Sequence, residues 1–191
     1  DYNLDLVRAL GLVIPDVPAA RLSVAHEDVQ HLSQQLHACG VTEADRVIAV
    51  HPWTSNPSKQ WPVTRFRELL QRLCVQKDVV VIIIGGPNER NQMSALYETC
   101  PPQILDFVGR FSLQELAALL RRVHVLVSND SGPVHLAAAL GTPTVVLFGT
   151  SNPASGPRRW GPWGSRHTVM WKPTIEEITV DAYGDDEKLW A

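Results

Sequence analysis

One short run, Ser128-Asn129-Asp130-Ser131-Gly132-Pro133-Val134-His135, gathers hydroxyls, a carboxylate, an imidazole and a glycine. It follows an apolar stretch and leads into an alanine-rich one, so it reads as a strand turning into a helix. Gly132 leaves backbone N–H groups unshielded, and a helix start favours an anion by about 0.3–1 kcal/mol. Ser131 can donate to a phosphate oxygen. His135, four residues on, lies on the same side of the helix. Asp130 would repel a phosphate; it suits sugar hydroxyls, or the task of holding a lysine or histidine. Asp130 or Ser131 reads equally as a helix cap. A Ser-His-Asp hydrolase fails here, because the three residues crowd one helical turn and leave the histidine no orienting carboxylate across its ring.

Four more segments carry chemistry, each at the junction between a strand and the next element. In His51-Pro52-Trp53-Thr54-Ser55-Asn56-Pro57-Ser58-Lys59-Gln60-Trp61-Pro62, small hydroxyls (Thr54, Ser55) and the Lys59 point charge suit a phosphate; the plainer reading is a solvated lysine in a proline-rich turn. Gly85-Gly86-Pro87-Asn88-Glu89 allows close approach of a ligand, and Glu89 can accept from the two hydroxyls of a ribose. Glu89 reads equally as a favourable acid at a helix start, and G-x-G-x-x-G is absent. Gly109-Arg110-Phe111-Ser112-Leu113 can offer backbone groups to a nucleobase with Phe111 as an apolar wall, or Phe111 can staple the next helix. Phe148-Gly149-Thr150-Ser151-Asn152-Pro153 opens a long loop over 151–164. Trp53, Trp61, Trp160 and Trp163 fall in these loops, where pinning the loop is favoured over stacking on a sugar.

The elements that must position these segments alternate. Apolar runs at 47–51, 79–84, 105–108, 124–128, 144–148 and 167–171 read as strands, and the β-branched runs among them lack alternation, as parallel strands covered on both faces do. Helical patterns fill 64–75, 112–121 (opened by a Ser112/Glu115 capping box), 134–140 (closed by Gly141) and, more weakly, 88–99. The predicted fold is α/β, a Rossmann-like doubly wound parallel sheet. Ligands in such sheets sit at the carboxyl ends of the strands. Residues 1–46 carry helical patterns at 2–10 and 27–39 around Pro15-Asp16-Val17-Pro18; they read as a linker segment packed on the domain, with 47–191 as the domain proper and a loosely held tail at 181–191.

With 191 residues, 45% hydrophobic and 19% charged, the chain matches one ordinary globular domain. A net charge of −3 argues against nucleic acid as the main partner. No apolar run approaches the ~18–20 residues of a membrane span, and the N-terminus lacks the charged and apolar regions of a signal peptide. It also lacks an initiator Met, as a fragment or excised domain would. Three widely spaced cysteines suggest a reducing compartment, with Cys39 and Cys74 as small buried fillers. Seven scattered histidines form no metal-ligand spacing; His31 and His37 read as surface residues.

In this order the segments resemble the heptosyltransferases of glycosyltransferase family 9, which add heptose from ADP-heptose to the inner core of bacterial lipopolysaccharide. The resemblance runs over 47–170 and rests on His51-Pro52, Ser58-Lys59-Gln60-Trp61-Pro62, Gly85-Gly86-Pro87-Asn88-Glu89, Gly109-Arg110-Phe111-Ser112-Leu113, Ser128–His135 and Gly141-Thr142-Pro143-Thr144-Val145-Val146-Leu147-Phe148-Gly149. The family has Thr more often than Ser at position 131, which keeps the hydroxyl. The resemblance implies the C-terminal, donor-binding half of a GT-B fold. It implies that Lys59, Thr54 and Ser55 touch the donor phosphates, Glu89 the ribose, and Arg110 and Phe111 the adenine. Asp130, Ser131, Gly132 and His135 would bind diphosphate and sugar. Cofactor and metal are not called for; the ADP-sugar is a substrate. The family's acceptor site and general base lie in an N-terminal domain that this sequence lacks, so the chain is expected to bind donor without transferring sugar. The full enzyme would displace ADP with inversion, Lys59 and the helix start at Ser131–Gly132 stabilising the leaving group. It would act in the cytoplasm, peripherally at the inner face of the bacterial inner membrane, on the lipopolysaccharide core. Another nucleotide sugar, with UDP or GDP, or a non-catalytic nucleotide-binding module of a larger assembly, remain the alternatives.

Overall fold

The computed structural model describes residues 2–14, 20–97, 104–152 and 154–172. The predicted turn at 15–18, Cys100 and the tail at 181–191 lie outside the described residues.

Six strands form one sheet: β1 (Arg46–His51), β2 (Val79–Ile83), β3 (Leu105–Asp106), β4 (Val125–Asn129), β5 (Thr144–Phe148) and β6 (His167–Trp171). Every pairing is parallel and the order is β3-β2-β1-β4-β5-β6, the doubly wound arrangement. Helices α1 (Tyr2–Ala9), α2 (His26–Ala38), α3 (Val63–Cys74), α4 (Met93–Tyr97), α5 (Leu113–Arg122), α6 (Gly132–Leu140) and α7 (Pro157–Trp160) complete the fold, with 3₁₀ turns at Pro57–Lys59 and Pro87–Gln92.

The continuous apolar strands are stable because both faces of the sheet are covered. Val47 and Ala49 of β1, with Ile82 of β2, pack with Leu32 and Leu36 of α2, Leu119 of α5 and Ala137 of α6. The alternate residues, Val50, Val81 and Ile83, pack with Phe66 and Leu70 of α3 and Leu96 of α4. Because successive side chains in a strand point to opposite faces, a sheet covered on both needs apolar residues at every position.

Helix ends obey their local chemistry. At the start of α5, Ser112 Oγ accepts from the Glu115 N–H (3.2 Å), while Glu115 accepts from the Ser112 N–H (2.8 Å), a reciprocal capping box. At the far end of α6, Gly141 takes a left-handed conformation (φ 74°) and terminates the helix.

Several sequence expectations need correction. The third strand is two residues long, not four: beyond it the Asp106 carboxylate takes the Val108 N–H (3.0 Å), Phe107 and Gly109 keep only single backbone bonds to Ile83 and Gly85, and the chain leaves the sheet at Gly109 (φ 70°). The helix expected at 88–99 begins as the 3₁₀ turn, because Pro87–Gln92 has no buried residue to hold a longer element; α4 starts where Met93 and Leu96 reach the core. The loop at 151–164 contains α7. Cys39 is exposed rather than buried, since it is the residue that caps α2; Cys74 is half-buried, and burial pushes its thiol pKa up. Among the described residues, no helix is long and apolar enough to cross a membrane.

Candidate functional site

The sheet order reverses between β1 and β4, and a crevice lies at the carboxyl ends of the strands there. His51 and Ser128 are register partners across that seam. Asn129, fully buried beside them, donates to the Pro52 carbonyl (2.6 Å) and accepts the Trp61 N–H (2.9 Å). One side chain therefore staples both ends of the loop after β1 to the end of β4. Thr54 adds a hydroxyl bond to the Asp130 carbonyl (3.2 Å).

The resulting cleft has a volume of about 510 Å³. Its walls differ in chemistry. Ile84, Phe111, Leu113 and Leu116 form an apolar side, with Gly85 and Gly86 on its floor; Thr54, Ser55, Asp130, Ser131 and Gly132 form a polar side, where α6 begins. Glu89 and His51 lie along the same cleft. Gly85 is required sterically: a Cβ there would fall 2.7 Å from the buried Trp53 ring and 2.8 Å from Glu89. Gly132 is different, because a Cβ on it would meet nothing within 4 Å. The start of α6 is thus open to an approaching anion.

A hydrogen-bonded chain runs across the cleft floor. Glu89 Oε2 accepts the Gly86 N–H (2.7 Å) and faces His51 Nε2 (3.2 Å). His51 Nδ1 faces Ser131 Oγ (3.0 Å) and, at longer range, Ser128 Oγ (3.4 Å). Burial opposes ionisation of Glu89 more than any other single influence. The His51 hydrogen bond and charge and the Gly86 N–H together outweigh it and hold the carboxyl below the usual range.

The structure brings Thr54, Ser55, Glu89, Phe111, Asp130, Ser131 and Gly132 to one cleft. Lys59 joins them indirectly, through a half-buried ion pair with Asp130 (Nζ–Oδ2 3.3 Å). The charge that made Asp130 awkward beside a phosphate is thereby balanced. Two expected residues stand apart. Arg110 is exposed and sits over the Phe107 ring (5.8 Å), which also stacks on Phe111 (4.9 Å). His135 is exposed and outside the cleft walls, because the outward face of α6 at that turn is solvent. Ser131 occupies the N-cap position of α6 without a side-chain cap bond, its hydroxyl being turned to His51. Of the tryptophans, Trp53 is buried and Trp61 packs edge-on against Phe66 (4.8 Å), so both pin their loop; Trp160 and Trp163 are exposed.

Sequence reasoning did not assign His51, Ser128 or Asn129 a role. The available signal was polarity: each is a polar residue at the last positions of an otherwise apolar buried strand. Such a group must find a partner, and at a strand's carboxyl end the partners belong to the site.

The family model for glycosyltransferase family 9 (heptosyltransferase) matches residues 3–190. The chain belongs to glycosyltransferase family 9. Its relatives within the family include lipopolysaccharide heptosyltransferase 3 of Escherichia coli, 22% identical over all of this chain and 54% of that protein. Among solved structures, a family 9 glycosyltransferase from Veillonella parvula superposes with a TM-score of 0.79 at 23% identity, covering 97% of this chain and 54% of the other. E. coli heptosyltransferase WaaC, solved with ADP, gives a TM-score of 0.59 at 26% identity, over 76% of this chain and 42% of that one. This family 9 chain thus spans about half the length of the relatives it matches, and its doubly wound sheet is one Rossmann-like unit of the GT-B type.

Proposed function

We propose that this chain is the donor-binding domain, residues 47–191 with 1–46 as linker, of a heptosyltransferase that uses ADP-heptose. The observation that carries the reading is the polarity of a single cleft at the sheet's switch point. It has an apolar wall at Phe111 and Leu116, Glu89 between, and the open start of α6 at Ser131–Gly132 beside the Lys59–Asp130 pair. An adenosine diphosphate sugar has the same order of parts: a flat base, a ribose diol, a dianionic diphosphate and a polyhydroxyl ring. Adenine lies against Phe111, with Arg110 at the rim. The ribose hydroxyls donate to Glu89. The diphosphate meets Ser131, the N–H groups of α6 and the hydroxyls of Thr54 and Ser55. Lys59 supplies positive charge to the departing diphosphate, and Asp130 holds Lys59 or accepts from the sugar. His135 reaches the sugar side only after a change of its exposed position. The binding of ADP by the related WaaC supports the choice of base.

The acceptor is the lipopolysaccharide core, reached through another domain that also supplies the general base. The whole enzyme works in the cytoplasm, at the inner face of the inner membrane. The 191-residue chain by itself binds donor and does not turn it over.

Calorimetric titration with an ADP-sugar tests this. Lys59→Ala and Asp130→Ala are each expected to weaken binding about tenfold or more, the loss of one charge-assisted contact. Unchanged affinity in both removes the site assignment. A thermal-shift panel of ADP, UDP and GDP is expected to favour ADP, and heptosyl transfer by this chain alone would contradict the division of labour.

A further inference from the structure

His51 joins the two halves of the cleft, and its two nitrogens face different chemistry. Nε2 lies 3.2 Å from the Glu89 carboxylate, which only accepts, so Nε2 carries a proton. In the neutral ring Nδ1 is then a lone pair that requires a donor. Two hydroxyls are near it. Ser128 Oγ has a shorter acceptor of its own, the Asn129 carbonyl at 2.7 Å, against 3.4 Å to the ring. Ser131 Oγ lies 2.9 Å from Ser128 Oγ, 3.0 Å from Nδ1 and 3.1 Å from the same Asn129 carbonyl. That carbonyl already takes the Ser128 proton, so Nδ1 is the acceptor left without a donor, and Ser131 supplies it. With its one proton turned inward, Ser131 presents only lone pairs to the cleft. A phosphodiester oxygen also only accepts, and cannot bond to it in that state.

We infer that His51 takes up a proton from solvent when a diphosphate occupies the cleft. In the imidazolium both nitrogens donate, Nε2–H to Glu89 and Nδ1–H to Ser131 Oγ. The Ser131 proton is then released outward to a phosphate oxygen. One proton is gained for each ligand bound, and no covalent bond between heavy atoms changes. The charged groups facing this spot are Glu89 on the 3₁₀ turn after β2 and, on the loop before α6, Asp130, which is paired with Lys59 of the loop after β1. Trp53 contributes only a ring edge, its centroid 6.0 Å from that of His51. His51 acts through Ser131 and is a positioning residue. This inference rests on the reading of the cleft as a donor-diphosphate site.

The test is isothermal titration of an ADP-sugar into the 191-residue chain, in buffers of different ionisation enthalpy between about pH 6 and 8, where imidazoles change charge. An ADP-sugar is the right probe, because a diphosphate esterified at both ends lacks the ionisation near pH 6 of a terminal phosphate. The expected result is net proton uptake, with affinity falling as pH rises by at most about tenfold per unit for one linked proton. His51→Asn places an amide N–H where Nδ1–H would stand; whatever affinity it keeps is expected to be independent of pH, with no uptake. Binding by the unaltered chain without proton exchange, or undiminished uptake in H51N, overturns the inference and leaves the donor-site reading standing. Failure of the unaltered chain to bind any ADP-sugar overturns that reading and the inference with it.

Discussion

Gly132 and Asp130 show how little a residue's type says until its surroundings are known. A Cβ on Gly132 would touch nothing in the protein, so the space beside it belongs to whatever enters the cleft. Gly132→Ala is therefore expected to leave stability unchanged or raise it by up to about 1 kcal/mol, since alanine suits a helix better. The same methyl group would stand where the diphosphate approaches, and donor affinity is expected to fall about tenfold or more, roughly 1.4 kcal/mol. A thermal melt and a titration of one protein sample measure both; equal affinity would mean that the ligand does not approach the start of α6. Asp130 needed Lys59, 71 positions away, to make sense. Type and spacing named both residues as candidates, but only the fold pairs them.

Helix α6 separates function from stability along its length. Its first turn faces the cleft, and its last is closed by Gly141 with φ 74°. Gly141→Ala forces a side chain into the left-handed region and is expected to cost about 1–2 kcal/mol. A lower denaturation midpoint with unchanged ADP-sugar affinity would confirm that split. The strands were legible because a sheet covered on both faces demands unbroken apolar runs, and β5 and β6 match their predicted ranges. Elements held by side-chain exchange were less so. β3 stops where Asp106 captures a backbone N–H, and the region after Pro87 winds as a 3₁₀ turn; neither event leaves a periodic trace in the sequence.

Taken as a whole, the molecule is expected to be sensitive to acid. The Glu115 carboxyl is held low by the Ser112 N–H and hydroxyl, and that of Asp45 by the Thr42 N–H and hydroxyl. At Glu89 burial opposes ionisation, but the bonds from His51 and Gly86 prevail. Groups whose folded pKa is depressed contribute stability above their unfolded values, 3.8 for Asp and 4.5 for Glu, and lose it as pH falls through the folded ones. Urea midpoints are thus expected to be flat near neutrality and to decline as pH falls below about 4.5. Glu89→Gln should shallow that decline; an unchanged slope would mean that Glu89 is not linked to folding.

The order of strands and helices, the parallel sheet, the caps of α5 and α6 and the family resemblance all come from local pattern, because periodicity and capping are properties of neighbours in the chain. The seam between β1 and β4 does not. There His51 meets Ser128 and Ser131, 77 and 80 positions away, and Glu89, 38 away. Which polar residues satisfy one another in a buried crevice depends on strand order. That order is set by the packing of whole helices on the two faces of the sheet, so the proton chain from Glu89 to Ser131 exists only in the folded molecule.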